Sequence, residues 1–147
     1  MKPELQERIQ LLRSVSFFAA LPEKELSEIA VWSSRNSYKK GEIIVRAGAP
    51  GKGLYLLIAG RADVSVKAGG EEKNVGVLHP GELFGEMSLI EERPRSSNVI
   101  AAEATDCLYL DARIFLEKMA LHPEVMIDLL KTICRRLRQT VEELRGF

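Results

Sequence analysis

The chain has little of what would announce a particular chemistry. Its 21 basic and 21 acidic side chains cancel, so no bulk field draws it to nucleic acid or to an anionic membrane surface. Cysteine is scarce: Cys107 and Cys134 are the only two, and no CxxC pair exists. That excludes a disulfide framework, and the apolar neighbours of both predict two buried thiols. Histidine is equally sparse. His79 and His122 each precede a proline, with no Cys, Asp or Glu cluster at ligand spacing, which argues against a metal. A two-histidine, one-carboxylate oxygenase barrel is disfavoured for the same reason. No apolar run is long enough for a signal peptide or a membrane span, so the expected compartment is the cytoplasm.

What is present is an ordinary globular composition in 147 residues, 46% hydrophobic and 29% charged, enough for one domain with a substantial core. Leu5, Ile9 and Leu12 fall at helical spacing and predict a first helix over 4–14. Pro22 is suited to a first helical position, with Glu23 and Glu25 complementing the dipole, and predicts a second helix over 22–34. From Ser37 to Leu110 short Val/Ile/Leu/Tyr-rich segments alternate with glycines. Strands are expected at 42–46, 54–58, 61–67, 73–79, 96–102 and 107–110, with hairpin turns at 47–53 and 68–70. Many short strands with glycine turns indicate a small β-barrel or β-roll. Helical character returns at 112–120 and, after His122-Pro123, in a long helix from about Pro123 to Arg145. The layout is one α+β, mainly β domain: helices in 1–36, the roll in 37–110, helices in 111–147.

The last helix carries two apolar rows. Met126, Leu130, Ile133, Leu137 and Leu144 alternate spacings of four and three, with Thr140 in the remaining heptad position. Such an a/d stripe fits a two-helix seam and suggests a homodimer. Val125, Leu129 and Val141 form a second row suited to the body of the domain. The basic run Lys131, Arg135, Arg136 and Arg138 is the kind that usually forms a solvated face, with a lid role for Arg136 over a ligand as the functional alternative.

The densest chemistry lies in Gly81–Ala101, GELFGEMSLIEERPRSSNVIA. Gly85 permits close backbone approach, and a helical turn over Glu86, Met87, Ser88, Leu89 and Ile90 would aim its free N–H groups at an anion. Arg95 adds a forked, permanent cation suited to phosphate. Glu86 would repel an anion, so its use is with a hydroxyl donor such as a sugar. Anion and hydroxyl on one compact ligand point to a ribose phosphate.

Where FGEMSLI is followed by RPRSSNV, the sequence resembles the phosphate-binding cassette of cyclic nucleotide-binding domains. A second signature precedes it in the expected order: Ile44-Val45, Gly48, Gly51, Leu54-Tyr55-Leu56-Leu57, Gly60. With its helical flanks the resemblance covers 1–147, with the cassette at 84–99. It implies a jelly-roll-like β-roll, a double-stranded β-helix with two N-terminal helices, C-terminal helices and a long final one. It further implies that Gly85 and the amides of Glu86, Met87 and Ser88 cradle a cyclic phosphate. Glu86 would accept from the ribose 2′-hydroxyl, Arg95 would pair with the exocyclic oxygens, and Ser96 would add a hydroxyl. Val64 and Val75 would wall the purine and Thr140 would reach the adenine amine.

Two departures stand out. Ser97 replaces the alanine usual after the Arg-Ser pair, and the helix-turn-helix of transcriptional members is missing before Phe147. The expectation is therefore a sensor of cyclic AMP, with cyclic GMP as the other ligand. It would have no catalysis, no cofactor, no metal and no nucleic-acid or membrane partner, and it would signal to an unknown effector protein through its final helix. The alternative is a structural or interaction module of the same fold that holds no ligand.

Overall fold

A computed structural model describes residues 3–15, 18–85 and 94–145. Helices α1 (Pro3–Arg13) and α2 (Glu23–Val31) lead into eight strands. These are β1 (Ser33–Tyr38), β2 (Ile43–Val45), β3 (Gly53–Ala59), β4 (Ala62–Ala68), β5 (Glu71–Leu78), β6 (Leu83–Phe84), β7 (Asn98–Ala101) and β8 (Thr105–Asp111). Helices α3 (Ala112–Leu121) and α4 (Pro123–Arg145) follow. The strands form two antiparallel sheets, ordered β1-β8-β3-β6 and β2-β7-β4-β5. This is a jelly-roll-like β-roll, mixed α and β but mainly β.

The periodicity of β3 and β8 explains the layering. Successive strand residues face opposite sides. Leu54, Leu56, Leu108 and Leu110 turn outward to meet Leu12, Phe18, Leu26, Ile29, Phe115 and Val125 from the helices. Tyr55, Leu57 and Cys107 turn inward to meet Ile44, Val45, Phe84 and Val99 of the roll interior. A strand buried on both faces reads as a continuous apolar run, which is why LYLLI is so visible in the sequence.

Several expectations need correction. The second helix stops at Val31, not residue 34; Trp32 caps it and is exposed. Residues 33–38, SSRNSY, form the unforeseen edge strand β1, whose four consecutive exposed residues give no alternation to detect. The glycine-rich stretch 47–53 is not a hairpin turn: β2 pairs with β7 whereas β3 pairs with β6 and β8, so the stretch crosses between sheets. The 68–70 turn is a hairpin, with Ala68 opposite Glu71 and Gly69 and Gly70 at φ 62° and 82°. A two-residue turn with both φ positive matches the strand twist and selects glycine. Cys107 is buried but Cys134 is exposed on α4. Helix α3 begins at Asp111, whose carboxylate accepts from the Arg113 and Ile114 amides at 2.9 and 3.2 Å, a standard N-cap.

The N-terminal half of α4 docks on the apolar core. Val125 and Leu129 are buried, while Val141, expected in the same row, is exposed. Ile133, expected at the seam, instead packs against the core beneath α4. Met126, Leu130, Leu137 and Leu144 present an apolar stripe outward, with Leu137 64% and Leu144 70% exposed.

Candidate functional site

The site is built around Arg95, only 8% exposed. Its backbone is zipped to the crossing stretch: the Arg95 amide donates to Ala49 O and the Gly48 amide to Arg95 O, both at 2.8 Å. The Ala47 amide donates to Asn98 Oδ1 at 2.7 Å, extending the attachment into β7. The side chain is fixed as firmly. Nη1 donates to Gly85 O and Nη2 to Gly53 O, each at 2.6 Å. Cζ lies 5.9 Å from the centre of the Tyr55 ring, within cation–π range. Tyr55 stacks on Phe84 at 5.1 Å and meets Tyr109 edge-on at 5.1 Å. The carbonyls of Gly85 and Gly53 and the Tyr55 ring, itself packed on Phe84 and Tyr109, are thus among the groups that orient the guanidinium.

Gly85 is required for two reasons. Its φ is +87°, and a Cβ there would stand 2.6 Å from Arg95 Nη1. Any side chain would be strained and would push the guanidinium away.

Arg95 and Gly85 open onto a cleft of about 400 Å³, a volume suited to a small organic ligand. Ser96 and Ser97 continue its polar end. Val64 on β4 and Val75 on β5, with Phe84 and Val99, give it an apolar side. The Val64–Gly76 register sets the two valines on neighbouring strands. Helix α4 lines its rim with Arg136, Gln139, Thr140 and Glu143. Arg136 Nη2 donates to Leu83 O at 2.5 Å, fastening α4 to β6. The Thr140 hydroxyl donates back to Arg136 O at 3.0 Å, which leaves the oxygen able to act as an acceptor.

The structure therefore brings Gly85, Arg95, Ser96, Val64, Val75, Arg136 and Thr140 to one cleft. Glu86, Met87 and Ser88 lie outside the described residues. Sequence reasoning missed Phe84, Val99, Gln139 and Glu143. The two strand residues were legible from inward alternation, and Gln139 and Glu143 from their place beside Thr140 on one helix face. Burial pushes the Cys107 thiol up to about 12, so this side chain is a packing group, not a thiolate. Among the described residues no group of three His, Cys, Asp or Glu side chains is placed to hold a metal ion.

Comparison with known proteins bears on what fills such a cleft. The sequence model of one family, described as cyclic nucleotide-binding domain, matches residues 35–122. The chain is 34% identical over 134 residues to the cyclic AMP receptor protein of Thermus thermophilus, covering 90% of this chain and 62% of that protein. It is 40% identical over 102 residues to a cGMP-dependent protein kinase of Eimeria tenella, covering 69% of this chain and 10% of the kinase. In structure it resembles the regulatory domain of Toxoplasma gondii protein kinase A crystallised with cyclic AMP. That match has a TM-score of 0.79 and 26% identity, and covers 90% of this chain and half of the other. The chain thus spans less than two thirds of the length of each of these relatives.

Proposed function

This chain belongs to the cyclic nucleotide-binding domain family, and on that premise we propose that its cleft binds cyclic AMP and reports the ligand through the position of α4. The observation that carries the reading is the guanidinium of Arg95, buried at the cleft wall and aimed by the carbonyls of Gly85 and Gly53. A buried, preoriented fork of donors is what a singly charged cyclic phosphate needs. Glu86 is assigned to the ribose 2′-hydroxyl and the amides of residues 86–88 to the phosphate. Val64, Val75 and Phe84 offer the apolar surface on which a purine lies, and the Thr140 hydroxyl accepts from the adenine amine.

Helix α4 is suited to carry the signal. Among the described residues its contact with the roll at the cleft includes Arg136 on Leu83 O, a hydrogen bond worth about 1 kcal/mol net. A ligand that contacts Thr140 in one position of the helix shifts its population by the difference in affinity. The exposed stripe Met126, Leu130, Leu137 and Leu144 then supplies a seam for a second copy or for the effector. The role assigned here is binding without turnover, as in a regulatory domain: Arg95 is placed to hold the phosphate, and its permanent charge makes it no base.

Thermal shift with cyclic AMP, cyclic GMP, and the 5′-monophosphates of adenosine and guanosine tests ligand class and base together. Cyclic AMP should raise the melting temperature most and the open-chain monophosphates least, since a ligand of the folded state stabilises it by mass action. No shift with either cyclic nucleotide at millimolar concentration rejects the reading. Arg95→Ala should then weaken binding by roughly 3–5 kcal/mol, the cost of removing one partner of a shielded charge pair; near-wild-type affinity by calorimetry would remove the phosphate assignment.

A further inference from the structure

Behind the phosphate grip lies a layer whose purpose the cleft alone does not explain. Gly53 opens β3 and faces β8 across the register Leu54–Leu110 and Tyr55–Tyr109. A Cβ at Gly53 would collide with Cζ and Oη of Tyr109 and lie 2.5 Å from Leu110 O. The tyrosine ring therefore lies directly on the Gly53 α-carbon. Glycine is the residue whose peptide plane turns most readily, yet its carbonyl is one of the acceptors that fix the Arg95 guanidinium. Something must stop that plane from turning, and the ring is in the place to do so.

We propose that Tyr109 is a positioning residue for ligand binding, acting through the Gly53 carbonyl on the orientation of Arg95; the inference rests on the cyclic-nucleotide reading above. Tyr109 is itself well anchored. Its neighbours Leu108 and Leu110 are fully buried against the helices, and its ring meets Tyr55 edge-on. Tyr55 in turn lies under Arg95 and stacks on Phe84, next to Gly85. The core thus transmits its rigidity outward through Tyr109, Gly53 and Arg95. Sites of this kind lose affinity when a supporting side chain is removed although no ligand contact changes. Oη stands as close to the Gly53 Cβ position as Cζ does; the support is assigned to the body of the ring, which phenylalanine retains.

A double-mutant cycle tests this. Cyclic AMP affinity is measured by calorimetry for wild type, Tyr109→Leu, Arg95→Lys and the double variant. Lysine keeps the charge but lacks the fork that the Gly53 carbonyl orients. Tyr109→Leu should weaken binding roughly tenfold in the wild-type background and cause no further loss beside Arg95→Lys, the non-additivity expected of residues in one chain of contacts. Tyr109→Phe should restore wild-type affinity. Losses that multiply across the cycle, or a Tyr109→Leu variant with wild-type affinity, overturn the inference while leaving the function reading intact. Should Tyr109→Leu fail to fold, Tyr109→Met carries the same cycle. A wild type that binds no cyclic nucleotide overturns the function reading, and this inference with it.

Discussion

At the scale of single residues, the site depends on places where a side chain would be wrong. Gly85 combines φ +87° with a Cβ position already occupied by Arg95 Nη1. Gly85→Ala should lower stability by about 1–2 kcal/mol from the backbone alone. It should also weaken cyclic nucleotide binding by displacing the guanidinium. Urea unfolding and calorimetry on the same preparation check both, and a variant that is less stable but binds normally would show that Arg95 tolerates displacement. Such residues were readable because glycine and arginine leave few alternatives at a given spacing. Cys134 was less readable. Its neighbours Ile133 and Leu137 are apolar, but a helix turns each residue about 100° from the last, and the cysteine falls on the exposed side.

At the scale of elements, legibility followed burial. β3 was plain in the sequence because both of its faces are buried, and α4 because it runs from Pro123 to Arg145 without interruption. β1 was invisible because its polar residues gain strand geometry from pairing with β8 rather than from their own pattern. The 47–53 stretch was misassigned because glycine turns look alike whether they join neighbours or cross between sheets. Helix α4 also carries the clearest element-scale expectation. Its N-terminal half is committed to the core through Val125, Leu129 and Ile133, whereas Leu130, Leu137 and Leu144 are exposed. A second copy packed in parallel would bury them at heptad spacing. Leu130→Lys with Leu137→Lys should convert a dimer into a monomer by sedimentation without lowering the melting temperature of the roll. A wild type already monomeric at high concentration assigns the stripe to another partner.

At the scale of the whole molecule, a few ionisable groups set the limits of stability. A hydrogen bond from Lys118 holds Glu28 below the usual carboxylate range, and Ser37 with Arg35 does the same for Asp106. Their contribution is present above the unfolded carboxylate values, about 4 to 4.5, and is lost as pH falls through the lowered folded values. At the other end, burial raises Tyr38 and Cys107 to about 12. The fold favours their neutral forms, so that contribution is intact below the unfolded values and disappears as pH climbs toward 12. Urea midpoints should therefore form a plateau from about pH 5 to 8 and fall on both sides. Because Glu28 and Asp106 pair near the surface, the acid limb should weaken in high salt; an acid limb indifferent to salt would point to other groups.

The pairing of β1 with β8 has a consequence for how the chain reaches this form. Ser33 finds its partner only at Leu110, whereas Ala68 and Glu71 meet across two residues. The β4–β5 hairpin can close within microseconds of its synthesis. The sheet that carries the N-terminal helices cannot, because its inner strand is among the last of the roll to be made. During translation α1 and α2 must wait, with their apolar faces uncovered, until β8 has left the ribosome. The rate of that closure, and not the speed of any local element, should set the folding time of the protein.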